Sequence, residues 1–567
     1  MAKKKEENKL TYLQMPLPSG RKSYRIAKRA WTGLNYRHTI DSGSLSMESN
    51  ISTLDAPCLT PSPAPVTIGY SGYDFPIGLY GFGDILIFIY RVNTTIYVKW
   101  IREEVDEDGN GEIIEHTSVL KRNATGADDY PRSVVQFNVY DNPSNPVDGG
   151  YTRRLLIFPD KKAMDLEVTQ DDFDIDNLEV QVKKYTPADN AESELPPDKL
   201  SHNYYYFNTK TSKVYRWHDD TSDSSKSGWL QCAPPAVPPI EYATVHLSRL
   251  FGVGAGRVYV SGFNDYANWN LDSVDEYNES NAWCSPAQSN TKADSNFTGI
   301  TTFQGHVICF KRNFMHELYN TKNPFRIQDI FAEGAIDHRT VQDVGGKLIF
   351  VSEDDVKVYT GSAPRSLGYN LNISKFLNAV SGSDDRCYYL YCKAVDGNGV
   401  TSRRLLVYDT YTDAWSERAV DDDVVGFALW SGNMWMFSAD GCLYCISAHE
   451  NKSNYDHLWS FETDLITNQT VNIKHIKKMQ MLAEFGSGAQ LAVYFLYDDE
   501  TFVNLTEEER KARLMYLGKG AGQKTIRVKP RNTANYGIKL HVEGKGYVKL
   551  HELELFIENG GGIYAGA

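Results

Sequence analysis

The chain has 567 residues, of which 41% are hydrophobic, and a formal net charge of −14. This length is enough for a large core and two or three domains, and no stretch approaches the eighteen uninterrupted apolar residues of a membrane span. The first residues, MAKKKEENKLTYLQ, are basic but lack the apolar segment of a secretory signal. The sequence therefore predicts a protein made in a cytoplasm, with its cysteines reduced and no membrane span.

The N-terminal residues 1–65 are predicted to form an extended basic arm that ends in a Pro-rich linker. Lysine and arginine outnumber Glu6 and Glu7 in residues 1–38, whereas the rest of the chain is acidic. A basic arm on an acidic body is suited to dock on an acidic partner, although the same composition also fits a solvated tail. Residues 57–65, PCLTPSPAP, have the composition of a stiff linker.

Residues 66–461 contain an internal repeat centred on glycine. Each copy has an apolar residue, a glycine two positions later, two further apolar residues, and then Asn or Asp. Glycine permits a tight bend between two strands, and Asn or Asp starts the next turn. The clear copies span 303–313, 344–354 and 430–440, with a weaker copy around Gly256.

A second repeat has an apolar strand, a Thr-containing turn and an aromatic residue on the return strand. It relates 152–159 to 402–409, and 204–215 to 405–415. Such units cannot bury their faces alone and must stack on neighbours. The chain is therefore predicted to be all-β, with a β-propeller of about six blades over 66–461. An elongated protein of several β-sandwiches is the structural alternative.

Residues 462–567 are predicted to form a separate β-sandwich with one short helix and a flexible tail. Long alternating strands replace the glycine-centred hairpins in this region. Thr506 and Glu509 have the spacing of a capping box, which predicts a helix over 506–514.

Two acidic segments resemble metal-binding loops. Residues 106–113 match the first eight positions of an EF-hand loop, but Thr117 stands where the bidentate glutamate is required, so a hairpin turn is the favoured interpretation. The segment DDFDID at 171–176 is interpreted as a solvated turn. The residues that match the EF-hand pattern are Asp106, Asp108, Asn110, Gly111 and Ile113.

Other motifs give no catalytic arrangement. Cys442 and Cys445 have a CxxC spacing, but positions i and i+3 on a strand point to opposite faces, so the two thiols do not converge. His316 and Glu317 are adjacent on a predicted strand, so their side chains should diverge. The nearest match to a sialidase box, at Ser438, has its glycine one residue early. We assign no catalytic, cofactor-binding or metal-binding residue, expect no cofactor, and predict that the protein is not an enzyme.

Three segments follow one another in an order that resembles a known family. They are LSRLFGVGAGRVYVSGFNDYANWN (247–270), ITTFQGHVICFKRNFMHELYNTKNPFRIQDI (300–330) and GAIDHRTVQDVGGKLIFVSEDDVKVYTG (334–361). Together with WTGLNYRHTIDSGSLSMESNIS (31–52), this order is similar to the propeller-bearing tail nozzle, or packaged-DNA-stabilising, proteins of short-tailed bacteriophages. The resemblance covers roughly residues 31–455 and rests more on the order of segments than on any single motif.

The resemblance implies a structural virion protein. Members of this family form a ring, usually a hexamer, below the portal and adaptor, and the ring retains packaged double-stranded DNA and opens on ejection. The implied location is the virion tail, assembled in the host cytoplasm. An acidic lumen would suit this role, because phosphates bind where Lys and Arg neutralise them.

Two other classes of function stay open. A receptor-binding or glycan-binding tail component would use exposed aromatic residues in the polar insertion 266–297, such as Trp269 and Trp283, to stack on sugars. A cytoplasmic propeller scaffold of a cellular organism would share the fold without any virion partner.

Overall fold

The computed structural model describes most of the chain, and almost every element in it is a β-strand. The N-terminal region contributes five strands: β1 (Ser23–Lys28), β2 (Leu45–Ser49), β3 (Ile51–Ser52), β4 (Thr60–Pro61) and β5 (Val66–Thr67). The described residues are 23–28, 31–37, 40, 43–67, 75–105, 111–140, 150–166, 175–188, 195–197, 200, 204–218, 227–269, 282–286, 296–447, 455–467, 473–530 and 535–559.

Eight four-stranded sheets follow one another along the chain. The first three sheets comprise β6 (Phe75–Phe82), β7 (Ile85–Val92), β8 (Thr95–Val105) and β9 (Gly111–Lys121); β10 (Ser133–Tyr140), β11 (Tyr151–Phe158), β12 (Lys162–Asp165) and β13 (Asp176–Asn177); and β14 (Val182–Tyr185), β15 (Tyr205–Asn208), β16 (Val214–His218) and β17 (Gly228–Cys232). The next three comprise β18 (Tyr242–His246), β19 (Arg249–Gly254), β20 (Arg257–Val260) and β21 (Trp283–Cys284); β22 (Gly299–Phe303), β23 (His306–Phe310), β24 (Met315–Tyr319) and β25 (Arg326–Phe331); and β26 (Gln342–Val344), β27 (Lys347–Val351), β28 (Val356–Tyr359) and β29 (Arg365–Ser366). The last two comprise β30 (Ile373–Ser383), β31 (Cys387–Asp396), β32 (Thr401–Asp409) and β33 (Ala414–Arg418); and β34 (Val424–Trp430), β35 (Asn433–Ser438) and β36 (Leu443–Cys445), which are completed by β5.

Seven of these sheets form a closed ring of blades, and the sheet β14–β17 lies outside it. Strand β10 packs directly on β18: the Ala243 N–H donates to Ser133 Oγ at 3.1 Å, and Arg132 Nη1 lies 2.5 Å from Glu241 Oε2. The intervening sheet β14–β17 has its own small aromatic core and also packs against the cluster shared by β10–β13 and β18–β21. We number the blades 1 to 7 in chain order, omitting this outer sheet.

The ring closes between blades 7 and 1. Strand β5 pairs with β36, so a strand that precedes the first blade in the chain completes the last blade. The Trp430 indole N–H donates to the Asp84 carbonyl at 2.8 Å across the same seam. A hydrophobic cluster joins the two blades, with Leu86 and Phe88 on one side and Phe437 on the other. Each of the other seams has a comparable cluster shared by its two blades.

The predicted glycine-centred hairpins are confirmed in blades 4, 5 and 7. The pairs Gln304–Gly305, Gly345–Gly346 and Ser431–Gly432 each have two positive φ angles and join the first strand of a blade to its second. Two consecutive positive φ angles define the turn whose twist matches a β-hairpin. The weaker copy, Ala255–Gly256, has the same turn but joins the second strand to the third.

The fold class is therefore an all-β propeller, as the sequence predicts, but with seven blades where the sequence predicts about six. Some blades lack the glycine signal, because other residues adopt the left-handed turn. Leu247 and Ser248, between the first two strands of blade 3, have φ angles of 46° and 56°. Such a turn has no glycine, so the first hairpin of this blade is missing from the repeat, and only the weaker copy at Gly256 marks the blade.

A seven-stranded sheet forms a second body. Besides β1 and β2, it contains β37 (Leu458–Thr463), β38 (Lys474–Tyr497), β39 (Leu514–Val528), β40 (Ile538–Lys545) and β41 (Val548–Asn559). The helix α1 (Glu507–Arg513) precedes β39. The capping box is confirmed: the Thr506 N–H donates to Glu509 Oε2 at 2.8 Å, and the Glu509 N–H donates to Thr506 Oγ1 at 3.3 Å.

The predicted two-sheet sandwich over 462–557 is one hydrogen-bonded sheet. Strand β38 has 24 residues, so it pairs with β41 along its first part and with β40 along its second. Both parts contribute side chains to a single core, for example Met479 and Phe485 from the first and Val493 and Phe495 from the second. The length of β38 thus joins the two expected layers.

The predicted extended arm also needs correction within the described residues. Residues 23–28 and 45–49 are strands β1 and β2 of the seven-stranded sheet, where they pair with β41 and β37. Arg25 forms an ion pair with Glu554, so part of the basic charge of this region is neutralised within the chain. Residues 1–22 and the predicted tail after 559 lie outside the described residues.

The N-terminal region links the two bodies through the outer strand of blade 6. The Asn50 N–H donates to the Glu417 carbonyl at 2.9 Å, and the Glu417 N–H donates to Glu48 Oε1 at 2.6 Å. Tyr36 donates to the Glu417 carboxylate, and the Arg404 guanidinium lies 4.2 Å from the Tyr36 ring. Two buried carboxyl groups therefore face each other beside one arginine.

This pair predicts a pH-dependent stability. Burial raises the pKa of Glu48 well above its usual range, and burial also raises the pKa of Glu417. The folded state then keeps protons that the unfolded state releases, so this contribution is full below the unfolded pKa of about 4.3 and is lost as pH rises toward the folded pKa. Glu48→Gln, which keeps an acceptor oxygen, should gain about 1–2 kcal/mol at pH 8 and little at pH 4.5.

Urea unfolding at the two pH values measures this effect. The matched control is Glu353→Gln, at a carboxylate that is exposed on the surface of blade 5. An equal stability difference between the Glu48 variant and the wild type at both pH values would contradict the prediction.

Candidate interaction surfaces

The blades surround a small axial cavity of about 160 Å³. Arg339 lines it and pairs with Asp337, with Nε–Oδ1 and Nη2–Oδ2 distances of 3.1 and 2.8 Å. Arg132 and Tyr80 line the same space from blades 2 and 1. A DNA duplex, whose major groove alone is about 12 Å wide, does not fit this cavity.

Two titratable groups at the axis, His338 and Tyr80, are held uncharged at neutral pH. Burial lowers the pKa of His338 to about 4, and its ring packs against Tyr242 with 5.3 Å between the centroids. Burial raises the pKa of Tyr80 to about 12. A general base or acid works best with a pKa near the operating pH, so neither group is tuned for proton transfer at pH 7.

A larger cleft of about 640 Å³ lies where blades 6 and 7 meet the N-terminal region and the seven-stranded sheet. Its walls carry both charge signs, including Asp55 and Lys549. Arg386, also in the wall, donates to both carboxylate oxygens of Asp409 at 2.9 and 2.6 Å and to the Leu54 carbonyl. These bonds fix one side of the cleft.

A cysteine and a histidine meet near this cleft. Cys58 Sγ lies 3.4 Å from His551 Nδ1, and His551 Nε2 lies 3.9 Å from Glu484 Oε2. Burial raises the pKa of Cys58, so its thiol stays protonated at neutral pH, whereas a catalytic cysteine needs a lowered pKa. The separation of 493 residues between the two side chains explains why no sequence motif indicated this contact.

Strand β39 presents a long edge to solvent. It has 15 residues and pairs with β38 on one side, and no strand of the described residues pairs with its other side. Leu517 is 70% exposed near its start. Unpaired strand edges are sites where another chain can add a strand.

The composition of β39 explains its shape. Gly520 lies under the ring of Phe485, where a Cβ atom would be only 2.6 Å from that ring. Glycine therefore lets the aromatic side chain cover the inner face of the strand. The outer positions carry Lys519 and Arg527, and no acidic residue occurs between 514 and 530. The edge is thus basic on a chain whose net charge is −14.

The metal-loop candidates lie mostly outside the described residues or in strands. Residues 106–110 and 171–174 are outside them. Gly111–Lys121 is strand β9, in which Ile113 pairs with Glu103, so the second half of the EF-hand match is a strand and not a loop. Asp176 begins β13. No group of three or more His, Cys, Asp or Glu side chains in the described part of the chain is placed to hold a metal ion.

The other candidates have ordinary structural partners. His316 Nδ1 lies 2.6 Å from Asp329, while Glu317 accepts from the Tyr319 hydroxyl at 2.9 Å. Cys442 and Cys445 are free thiols, and Cys445 is buried. No helix in the described residues is long and apolar enough to cross a membrane.

The two tryptophans considered for sugar stacking are not exposed platforms. Trp269 is only 2% exposed and lies in the core between blades 2 and 3, so the expectation for this residue is wrong. Trp283 is partly buried in β21 and packs on Phe325 with 5.6 Å between the centroids. Both rings pack against apolar neighbours in the cores between blades. Residues 270–281 and 287–295 of the insertion lie outside the described residues.

The blade topology defines the class of protein as a β-propeller with an added seven-stranded sheet. No protein-family model matches the sequence, and no curated protein matches it. Among solved structures, the chain is similar to BamB from Moraxella catarrhalis, with 10% identity, a TM-score of 0.34, and coverage of 69% of this chain and 98% of BamB.

Two further structures resemble it at a comparable level. One is the extracellular domain of the one-component system BT4673 from B. thetaiotaomicron, with 10% identity, a TM-score of 0.36, and coverage of 86% of this chain and 59% of that chain. The other is the N-terminal domain of Nup159, with 8% identity, a TM-score of 0.28, and coverage of 68% and 94%.

Proposed function

We propose that the chain is a structural subunit of a bacteriophage tail, which forms a ring around the DNA exit channel, retains the genome and opens on ejection. The observation that carries the proposal is the basic edge of β39, which no strand of the described residues covers, because an open strand edge is a template to which another chain can add a strand. The order of segments over 247–361, which corresponds to blades 3 to 5, supports the phage assignment through its resemblance to tail nozzle proteins.

The axis of a single propeller is too narrow for DNA, which determines where DNA would pass in this proposal. An axial cavity of only about 160 Å³, lined by Arg339, does not admit a duplex, so the channel of this proposal lies between copies and not through one propeller. The acidic net charge suits such a lumen, because a like-charged wall lets DNA slide without binding. Portal, adaptor and other tail proteins are the partners in this proposal, and a hexamer is the expected ring.

Immunogold labelling of purified phage particles with an antibody to this chain tests the proposal. Label at the tail, just below the portal vertex or at the tail tip, is the expected result. Label on peripheral fibres would indicate receptor binding instead, and particles without label would favour a cellular scaffold. Either of these two results would overturn the proposal.

A further inference from the structure

A second open edge, on blade 1, has the opposite charge to β39. Strands β8 and β9 have 11 residues each, and they continue for three residue pairs beyond the start of β7, down to Val105 and Gly111. The outermost strands of blades 2 to 6 have only two to six residues. Blade 1 therefore carries a projecting hairpin.

This hairpin is acidic, and the outer side of β9 has no strand partner among the described residues. By sequence, the three projecting residue pairs contain Glu103, Glu104 and Glu112, and Glu115 follows on β9 opposite Ile101, while Lys121 lies at the far end of β9. Glu115 contacts Lys99 at 2.7 Å but keeps a half-exposed carboxylate. Ile113 is 44% exposed on the same strand.

The charges on the candidate partner strands indicate which of them can pair favourably with the basic edge of β39. Two β39 edges would bring Lys519, Lys524 and Arg527 of both copies together, and like charges on adjacent strands repel. The segment 1–22 of the same chain is also rich in lysine, which makes it a poor partner. An acidic edge strand fits, and β9 provides one on every copy.

We propose that β39 of one copy adds to β9 of the next copy and joins the subunits of the ring. The ring in this inference rests on the proposed function, whereas the contact between subunits rests on the two strand edges. The exposed rows are Leu517, Lys519 and Ala521 on β39, and Ile113, Glu115 and Thr117 on β9. A parallel alignment matches leucine with isoleucine and lysine with glutamate at the same time.

Because the two edges differ, the contact is head-to-tail. Such contacts close into a ring when the rotation between copies divides a full turn, and otherwise continue as a filament. Each copy then uses both of these edges, β39 for one neighbour and β9 for the other. This arrangement also protects the strand edges that the single chain leaves open.

A charge swap in the full-length chain tests the contact by mass photometry and sedimentation. The wild type should self-associate. Lys519→Glu should weaken association at least tenfold, and Glu115→Lys should do the same. An equimolar mixture of the two variants should associate again, because each acidic edge then meets a basic one.

The matched control reverses one exposed lysine elsewhere, Lys375→Glu, with the same change in net charge as Lys519→Glu. Circular dichroism verifies that every variant folds. A monomeric wild type, a control that loses association equally, or folded variants that fail to associate on mixing would each overturn the inference. A β39 variant that loses affinity for duplex DNA but keeps its oligomeric state would also overturn it.

Cysteine cross-linking tests the alignment separately. Thr117→Cys/Ala521→Cys should form a disulfide between copies under mild oxidation, and each single variant shows the background from the native cysteines. A cross-link from Ile113→Cys/Ala521→Cys alone would overturn the parallel register. Association without label on phage particles would reject the tail function and keep the contact, whereas labelled tails with a monomeric chain would do the reverse.

Discussion

Glu462→Leu is expected to lower the free energy of unfolding by about 3–5 kcal/mol, because it leaves a buried charge without its partner. Glu462 lies in the seven-stranded sheet, with Oε1 3.5 Å from Lys539 Nζ and Oε2 accepting from the Phe502 N–H at 3.3 Å. His541 Nδ1 is 3.8 Å from the same carboxylate. The side chains of Glu462, Lys539 and His541 are all buried.

The double variant Glu462→Leu/Lys539→Met provides the control. Replacing both members of a buried pair by apolar residues of similar size is often nearly neutral, so the double variant should recover most of the loss. Urea unfolding of the two single variants and the double variant measures this cycle. A loss below about 1 kcal/mol for Glu462→Leu would show that the carboxylate is solvated.

The elements that sequence analysis predicts well are those determined by nearby residues. The turn at Gln304–Gly305 and the capping box of Thr506 and Glu509 each depend on residues within a few positions. Their chemistry is local, since a left-handed turn needs glycine or a tolerant residue and a helix start needs a side-chain acceptor. Repetition of such local units was enough to predict the propeller.

Elements determined by distant residues could not be predicted in this way. Strand β1 pairs with β41, so its partner lies at the other end of the chain. Nothing in SYRIAK indicates that partner, and a short alternating segment beside polar residues also fits an arm. The same holds for β14–β17, whose strands resemble blade strands and reveal their place outside the ring only through the direct contact of β10 with β18.

The interaction surfaces were predictable only in part. Charge runs such as the acidic residues after Arg102 are visible in the sequence, but they were interpreted as a hairpin turn with a weak metal-loop match. Whether an edge is open depends on which strands pair, which is a property of the whole fold. The exposed Leu517 and Ile113 could have indicated the two edges, because each is an apolar residue followed two positions later by a charged one.

Gly81→Ala is expected to lower the free energy of unfolding by about 2–3 kcal/mol, because a Cβ atom there would sit 2.2 Å from the Leu429 carbonyl oxygen. Gly81 is on the first strand of blade 1 and Leu429 is on the first strand of blade 7, where the ring closes. The neighbour is backbone, so no change of rotamer relieves the overlap, and one strand must move.

The control for this prediction is Gly397→Ala, where no atom lies within 4 Å of the added Cβ atom and the change should stay within about 0.5 kcal/mol. Alanine restricts the unfolded chain at both positions, so the difference between the two variants isolates the overlap. Urea unfolding followed by tryptophan fluorescence measures it, and Trp430 reports directly on this seam because its indole donates to Asp84 of blade 1. Equal midpoints for the two variants would mean that blades 7 and 1 can separate without cost. The closure by β5, which contributes only two residues to blade 7, would then have to hold the ring by itself.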